Sequence, residues 1–253
     1  MYPIFFSTPW FNVYSYGTMM ALGYAFGTAI ILWEAHKSHL SVEAVFDMLL
    51  IQMISGLVGS RFLYLWEYLG SQTATSSEFI KFESGGLTFF GAVLASIASN
   101  LIFIKIKGLP FWQTMDCVGI GLPYGIAIAR LGCFFNGCCF GKPCDYPWGM
   151  YFPRFTLHKV HPTQLYESIC GILIFIILQI FRKKRTHFGQ IFTVCLMLYS
   201  FFRFNIEFFR GDNPTFFGPL TLSQFLGIII FCLGIYTLSQ LRKNPDLAIG
   251  KAH

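Results

Sequence analysis

The chain has 253 residues, and its 18 Lys and Arg with 12 Asp and Glu make it only 12% charged. A soluble domain carries about 25%, and 55% hydrophobic residues with 30 Phe leave too little polar surface to face water. A soluble globular domain, a disordered chain and a solenoid are therefore excluded. The net charge of +6 reports membrane orientation before it reports any nucleic-acid partner.

Residues 1–33, 84–104 and 213–241 hold no charged side chain at all. Each run matches or exceeds the roughly 20 apolar residues that cross a bilayer as a helix. Seven spans follow in chain order, at about 14–33, 43–66, 86–106, 112–135, 163–182, 189–209 and 221–241. The reading is an all-α integral membrane protein with seven transmembrane helices and a single domain over 1–253. The N-terminus lacks the basic segment and cleavage site of a signal peptide, so the first span is expected to stay. Placing the N-terminus outside and the C-terminus in the cytoplasm puts ten Lys and Arg in inner segments and five in outer ones. That is the asymmetry the positive-inside rule expects.

Orientation converts position into depth. Tyr16 opens span 1, Arg61 closes span 2, and Gly85 and Gly86 open span 3. Arg130 closes span 4, His161 to Glu167 open span 5, Arg203 and Glu207 close span 6, and Ser223 and Gln224 open span 7. Nearly every unusual polar residue thus converges on the outer half of the membrane. The inner loops are short and basic.

Tyr199, Arg203, Glu207 and Arg210 follow steps of four, four and three, which predicts one helical face about 16 Å long. Ionisable side chains inside a span are costly and face a bundle interior or water, which makes them candidates for function. A self-neutralising Arg203–Glu207 pair accounts for two members of the stripe and leaves the other two unexplained. Arg61 and Arg130 add cations at similar depth. The guanidinium fork suits phosphate oxygens, so this set points to an anionic lipid headgroup, with interfacial snorkelling as the bland alternative for Arg61.

The run His161-Pro162-Thr163-Gln164-Leu165-Tyr166-Glu167 crowds hydrogen-bonding side chains around a helix start. Pro162 suits the first helical position. Thr163 and Gln164 read as an N-cap, and His161 as a group able to exchange a proton near neutral pH. Gly85 and Gly86 could bring backbone N–H groups to an anion. Cys133, Cys138, Cys139 and Cys144 follow Arg130 without the paired Cys-x-x-Cys and His spacing of a zinc set. Outside the cytoplasm they are placed for a disulfide, with no pairing fixed. Cys117, Cys170, Cys195 and Cys232 read as small core residues.

These pieces together resemble the prolipoprotein diacylglyceryl transferase family of bacterial inner-membrane enzymes. The resemblance rests on Tyr16-Gly17, Gly59-x-Arg61, Gly85-Gly86-Leu87, and Arg130-Leu131-Gly132 with Asn136-Gly137 and Gly141. It continues through His161 to Glu167, then Arg203 with Glu207-Phe208-Phe209-Arg210, and Leu222-Ser223-Gln224. The resemblance implies transfer of the diacylglyceryl group of phosphatidylglycerol to the lipobox cysteine of a preprolipoprotein. A thioether forms and glycerol phosphate leaves, with no metal or soluble cofactor called for. It further implies catalytic roles for Arg130, Arg203, Glu207, Tyr199 and His161. Substrate-binding roles fall to Tyr16, Arg61, Gly85, Gly86, Asn136, Gly141, Gln164, Glu167, Arg210, Ser223 and Gln224. The implied location is the inner membrane, with the site toward the outer leaflet.

The chain also departs from the family pattern. Thr88-Phe89-Phe90-Gly91-Ala92 stands where the family usually has Ser-Phe-His-Gly-Gly, so Phe90 replaces a proposed base. Cys133 and Cys138 stand where Asn and Glu are usual. Deprotonation of the acceptor is then left to His161, to Glu207, or to the arginine field. A divergent paralogue with another acceptor and a non-catalytic lipid-binding protein are the competing readings.

Overall fold

The structure is a computed structural model that describes residues 3–8, 12–69, 88–211 and 213–249. Seven long helices stand among the described residues: α1 (Ser15–Lys37), α2 (Val42–Leu69), α3 (Phe89–Lys107), α4 (Phe111–Asn136), α5 (Thr163–Arg182), α6 (Gln190–Glu207) and α7 (Leu222–Lys243). Six are long and apolar enough to cross a membrane. The exception, α6, spends its last turns on Arg203, Asn205 and Glu207, which lowers its apolar average. The seven predicted spans and the seven helices agree to within four residues, the usual error of boundary reading.

Two short hairpins were not foreseen. Strands β1 (Ile4–Ser7) and β2 (Asn12–Tyr14) pair antiparallel before α1, and β3 (Thr215–Phe217) pairs with β4 (Leu220–Thr221) before α7. The second hairpin delivers Thr221 to the start of α7, where its hydroxyl accepts the Gln224 N–H while the Gln224 side chain accepts the Thr221 N–H. This reciprocal cap satisfies two otherwise orphaned donors.

The chain forms two compact units, Met1–Glu34 with Met115–His253, and Ala35–Thr114. In the larger unit, helix contacts follow membrane rules, with small residues at the closest approaches. A Cβ on Gly23 would lie 2.6 Å from the Gly125 carbonyl oxygen, so any side chain there would push α1 and α4 apart. Gly27 and Gly121, each four residues from one of that pair, extend the seam. Ser168 Oγ donates to the Ala127 carbonyl at 2.8 Å, tying α5 to α4. Ile120, Ile174, Leu178, Ile191 and Cys195 form the apolar core among α4, α5 and α6.

One end of this unit is fixed by ion pairs. Asp116, 1% exposed, accepts the N–H groups of Gly189 at 2.8 Å and Phe192 at 3.0 Å, and Arg185 lies 3.5 Å away. A carboxylate at the start of α6 satisfies donors that no helical carbonyl reaches. Glu34 of α1 pairs with Arg182 of α5 at the same end.

In the smaller unit α2 and α3 pack through Gly59 and Gly91, where a Cβ on Gly91 would fall 2.3 Å from the Gly59 carbonyl oxygen. Thr88 donates to the Ser60 carbonyl at 2.8 Å beside this contact. Arg61 is 4% exposed, and its guanidinium sits 5.4 Å from the Tyr64 ring centre. Gly85 and Gly86 lie outside the described residues.

Candidate active site

Glu167 is the hub of the opposite end of the larger unit. Arg130 Nε of α4 lies 2.5 Å from Glu167 Oε2, and Arg210 Nη1 donates to Oε1 at 3.0 Å. Arg203 Nη1 of α6 stands 3.5 Å from Oε1 and 2.8 Å from Glu207 Oε2. Three guanidiniums and two carboxylates meet in the cluster, and Arg210 and Arg130 also act on the Cys139 thiol. Glu167 and Glu207 are 7% and 3% exposed, so these charges are poorly screened. Guanidiniums in such a setting suit an anion with several oxygens.

Glu207 is held by more than Arg203. Its Oε1 accepts Asn213 Nδ2 at 2.6 Å and Thr221 Oγ1 at 2.8 Å, while Oε2 faces the Arg203 charge. Arg203 Nη2 also faces Ser223 Oγ at 3.5 Å. Gln224 caps α7 and is 2% exposed, which accounts for it as a buried anchor of the same corner.

A small open cavity adjoins the hub. Glu167, Cys170, Tyr199 and Arg203 line it, with Pro123 and Ile174 among its apolar walls. Pro123 interrupts the hydrogen-bond ladder of α4 from inside the helix. The predicted face of Tyr199, Arg203 and Glu207 is thus realised on α6. Arg210 departs from it: the helix ends at Glu207, and a turn closed by the Arg210 N–H on the Glu207 carbonyl carries Arg210 back to Glu167. A ladder contact between Arg210 and Gly141 fixes that turn.

Gly141 has a steric reason to be glycine. A Cβ there would sit 2.4 Å from the Phe209 carbonyl oxygen and 2.9 Å from His161 Cβ. Its N–H donates to the His161 carbonyl at 2.8 Å, and the Lys142 N–H donates to the Phe209 carbonyl at 2.8 Å. The loop after α4 is therefore stitched to the ends of both α5 and α6. His161 Nδ1 stands 3.1 Å from the Tyr166 hydroxyl, against the Phe209 ring. Burial lowers the His161 pKa below its ordinary 6.5, favouring the neutral ring.

Thr163 and Gln164 do not cap α5, as their place in the sequence had suggested. Pro162 is the N-cap residue and no side-chain cap forms. Thr163 Oγ1 instead donates to the Cys139 carbonyl at 2.7 Å, and Gln164 Nε2 to the Cys138 carbonyl at 2.6 Å. They hold the turn that leaves α4. Asn136 ends α4, and just beyond it the Cys138 thiol donates to the Cys133 carbonyl at 3.7 Å. Tyr16, 42% exposed, starts α1, and its backbone packs on Gly132.

That turn gathers three of the cysteines. All eight cysteines are unpaired by disulfides, and the sulfurs of Cys133, Cys138 and Cys139 lie within 4.8 Å of one another. Linear spacing concealed this, because Cys133 is the last-turn residue of a helix and the other two follow a reversal. Hydrogen bonds from Cys133 and Cys138, with Arg210 and Arg130 nearby, hold the Cys139 thiol well below its ordinary 9.0.

A profile of prolipoprotein diacylglyceryl transferase matches residues 3–239. The chain belongs to that family. Phosphatidylglycerol–prolipoprotein diacylglyceryl transferase of Clostridioides difficile (strain 630) is 36% identical over 235 residues, covering 90% of this chain and 92% of the relative. The enzyme of the same name from Clostridium tetani is 28% identical over 251 residues, covering 96% and 100%. That of Nostoc sp. (strain PCC 7120) is 31% identical, covering 91% and 86%. In this family member Arg130, Arg203 and Arg210 around Glu167, with Glu207, form the largest group of ion pairs among the described residues.

Proposed function

We propose that the chain is a phosphatidylglycerol–prolipoprotein diacylglyceryl transferase. The observation that carries the reading is the convergence of Arg130, Arg203 and Arg210 on Glu167 beside a cavity, in a chain of this family over nearly its whole length. Transfer requires a phosphate to leave with an electron pair. Preorganised guanidiniums where that charge develops lower the barrier without reorganisation. Arg203 and Arg130 take this role, and Arg210 with Gly141 sets the wall of the site.

Glu167 and Glu207 hold the arginines in place, because their oxygens are already shared among these cations and neutral donors. Tyr199, Tyr16, Asn136 and Ser223 supply hydroxyl and amide groups for the headgroup and glycerol oxygens. Gln164 and Gln224 act through the backbone they fix. Arg61, Gly85 and Gly86 keep the lipid-binding role that the family resemblance implies for them. The acceptor is the lipobox cysteine of a preprolipoprotein. The N-terminus lies outside the cytoplasmic membrane, the C-terminus inside, and the site opens to the outer leaflet.

Expression of the chain in a bacterium depleted of its own transferase tests the proposal. Restored diacylglyceryl modification of lipoproteins is expected. Continued accumulation of unmodified preprolipoprotein, with the chain present in the membrane, overturns it.

A further inference from the structure

We infer that Cys133, Cys138 and Cys139 form a three-thiolate site for a thiophilic metal ion of the zinc class, whose fourth position takes the acceptor thiol. The second half of this inference rests on the transferase reading; the metal site itself does not.

The geometry comes first. Zinc binds thiolate sulfur at about 2.3 Å in a tetrahedron, which spaces the sulfurs by about 3.8 Å. The three sulfurs already lie within 4.8 Å of one another, no more than about 1 Å beyond that spacing. Consecutive residues normally point their side chains apart in extended chain. Here Cys139 has φ +61, in the left-handed region that non-glycine residues rarely occupy. That backbone brings two adjacent sulfurs to the same side, next to Cys133 at the end of α4. Strain of this kind persists only where the surroundings enforce it. They do so here through Thr163 Oγ1 and Gln164 Nε2, which hold the Cys139 and Cys138 carbonyls at 2.7 and 2.6 Å.

The surroundings also suit a metal. Cys133 is 7% exposed and the other two are half-buried, so the site is shielded yet reachable. Three thiolates around a divalent ion carry one net negative charge. Arg130 and Arg210 act electrostatically on this cluster and offset that charge. Outer partners that orient ligands in this way are typical of metal sites.

A tetrahedral ion with three protein ligands keeps one position open, the arrangement of catalytic rather than structural zinc. A thiol that enters it is deprotonated outright. This supplies the ionisation for which Phe90 offers no group. The acceptor S–H bond ionises at the metal and its proton passes to water. The sulfur then forms the new S–C bond at the diacylglyceryl carbon. The C–O bond to phosphate breaks, and its electron pair leaves with the phosphate. No electron is gained or lost overall.

The test uses the full chain purified in detergent under reducing, anaerobic conditions, without lipid. Zn²⁺ titrated against a chromophoric chelator should bind one equivalent per chain, and Co²⁺ should give thiolate-to-metal absorption. Cys133→Ser and Cys138→Ser should each weaken Zn²⁺ binding at least tenfold, whereas Cys144→Ser and Cys232→Ser should not. A lipobox peptide should alter the Co²⁺ spectrum, and its Cys→Ser counterpart should leave it unchanged. Binding far below one equivalent, equal binding by the Cys133→Ser chain, or a disulfide among the three overturns the metal site. A spectrum indifferent to the peptide thiol overturns its role toward the acceptor. None of these readouts requires transfer activity, so they stand apart from the fate of the transferase proposal.

Discussion

Arg130 Nε and Glu167 Oε2 stand 2.5 Å apart, joining the last turns of α4 to the second turn of α5. The same carboxylate meets Arg210 at 3.0 Å and Arg203 at 3.5 Å, so one buried anion organises three cations from three chain segments. Removing one member of a buried charge set costs more than a surface pair does, because its partners stay buried and uncompensated. Glu167→Gln should therefore destabilise the protein by about 3 kcal/mol or more. Thermal unfolding in detergent reads this, and an unchanged transition would show that the arginines are organised without it.

Arg203 differs in kind from its carboxylate partners, since it offers donors toward the cavity as well as toward Glu207. Arg203→Ala should reduce transfer about a hundredfold or more while the chain remains in the membrane. Arg203→Lys keeps the charge but loses the fork, so it should recover only part of the rate. Initial rates at saturating lipid check both. Full rate in Arg203→Lys would mean that charge alone suffices.

Gly141 tests the stitching of the loop to α6. In Gly141→Ala the new methyl group meets the Phe209 carbonyl oxygen at 2.4 Å, which forces backbone to move. The expected cost is about 1–3 kcal/mol of overpacking, with a lower transfer rate because Arg210 loses its register. A variant as stable and active as the parent chain would show that the loop yields freely.

His161 sets a pH dependence whose sign is fixed by its environment. Burial lowers its pKa below 6.5, so the unfolded chain binds a proton at a higher pH than the folded one. The stability contributed by the neutral ring is present above about 6.5 and is lost as pH falls toward the folded value. Unfolding midpoints measured from pH 8 to 5 should fall more steeply for the parent chain than for His161→Gln. Parallel curves would contradict the assignment.

How far the sequence foretells this arrangement depends on the length scale of each signal. The spans were legible because apolar runs of bilayer length admit one structure in lipid. Arg130, Arg203, Glu207 and Glu167 were legible because ionisable side chains are expensive there. The partner of each was not. The step of four from Arg203 to Glu207 announces itself, whereas the meeting of Arg130, Arg203 and Arg210 on Glu167 depends on helices packed through Gly23, Gly125 and Ser168. Thr163 and Gln164 looked like capping residues because capping is the local use of such side chains. Their carbonyl partners, Cys138 and Cys139, lie more than twenty residues away. The thiol cluster was hidden for the same reason, since a helix end and a left-handed residue together erase linear spacing.

The most direct test of the central claim combines the purified chain with phosphatidylglycerol and a lipobox peptide, read by mass spectrometry of the peptide. The account predicts a peptide heavier by one diacylglyceryl group on its cysteine, with equimolar glycerol phosphate released and no product from the Cys→Ser peptide. An unmodified peptide, under conditions where the Clostridioides difficile relative modifies it, would contradict the account.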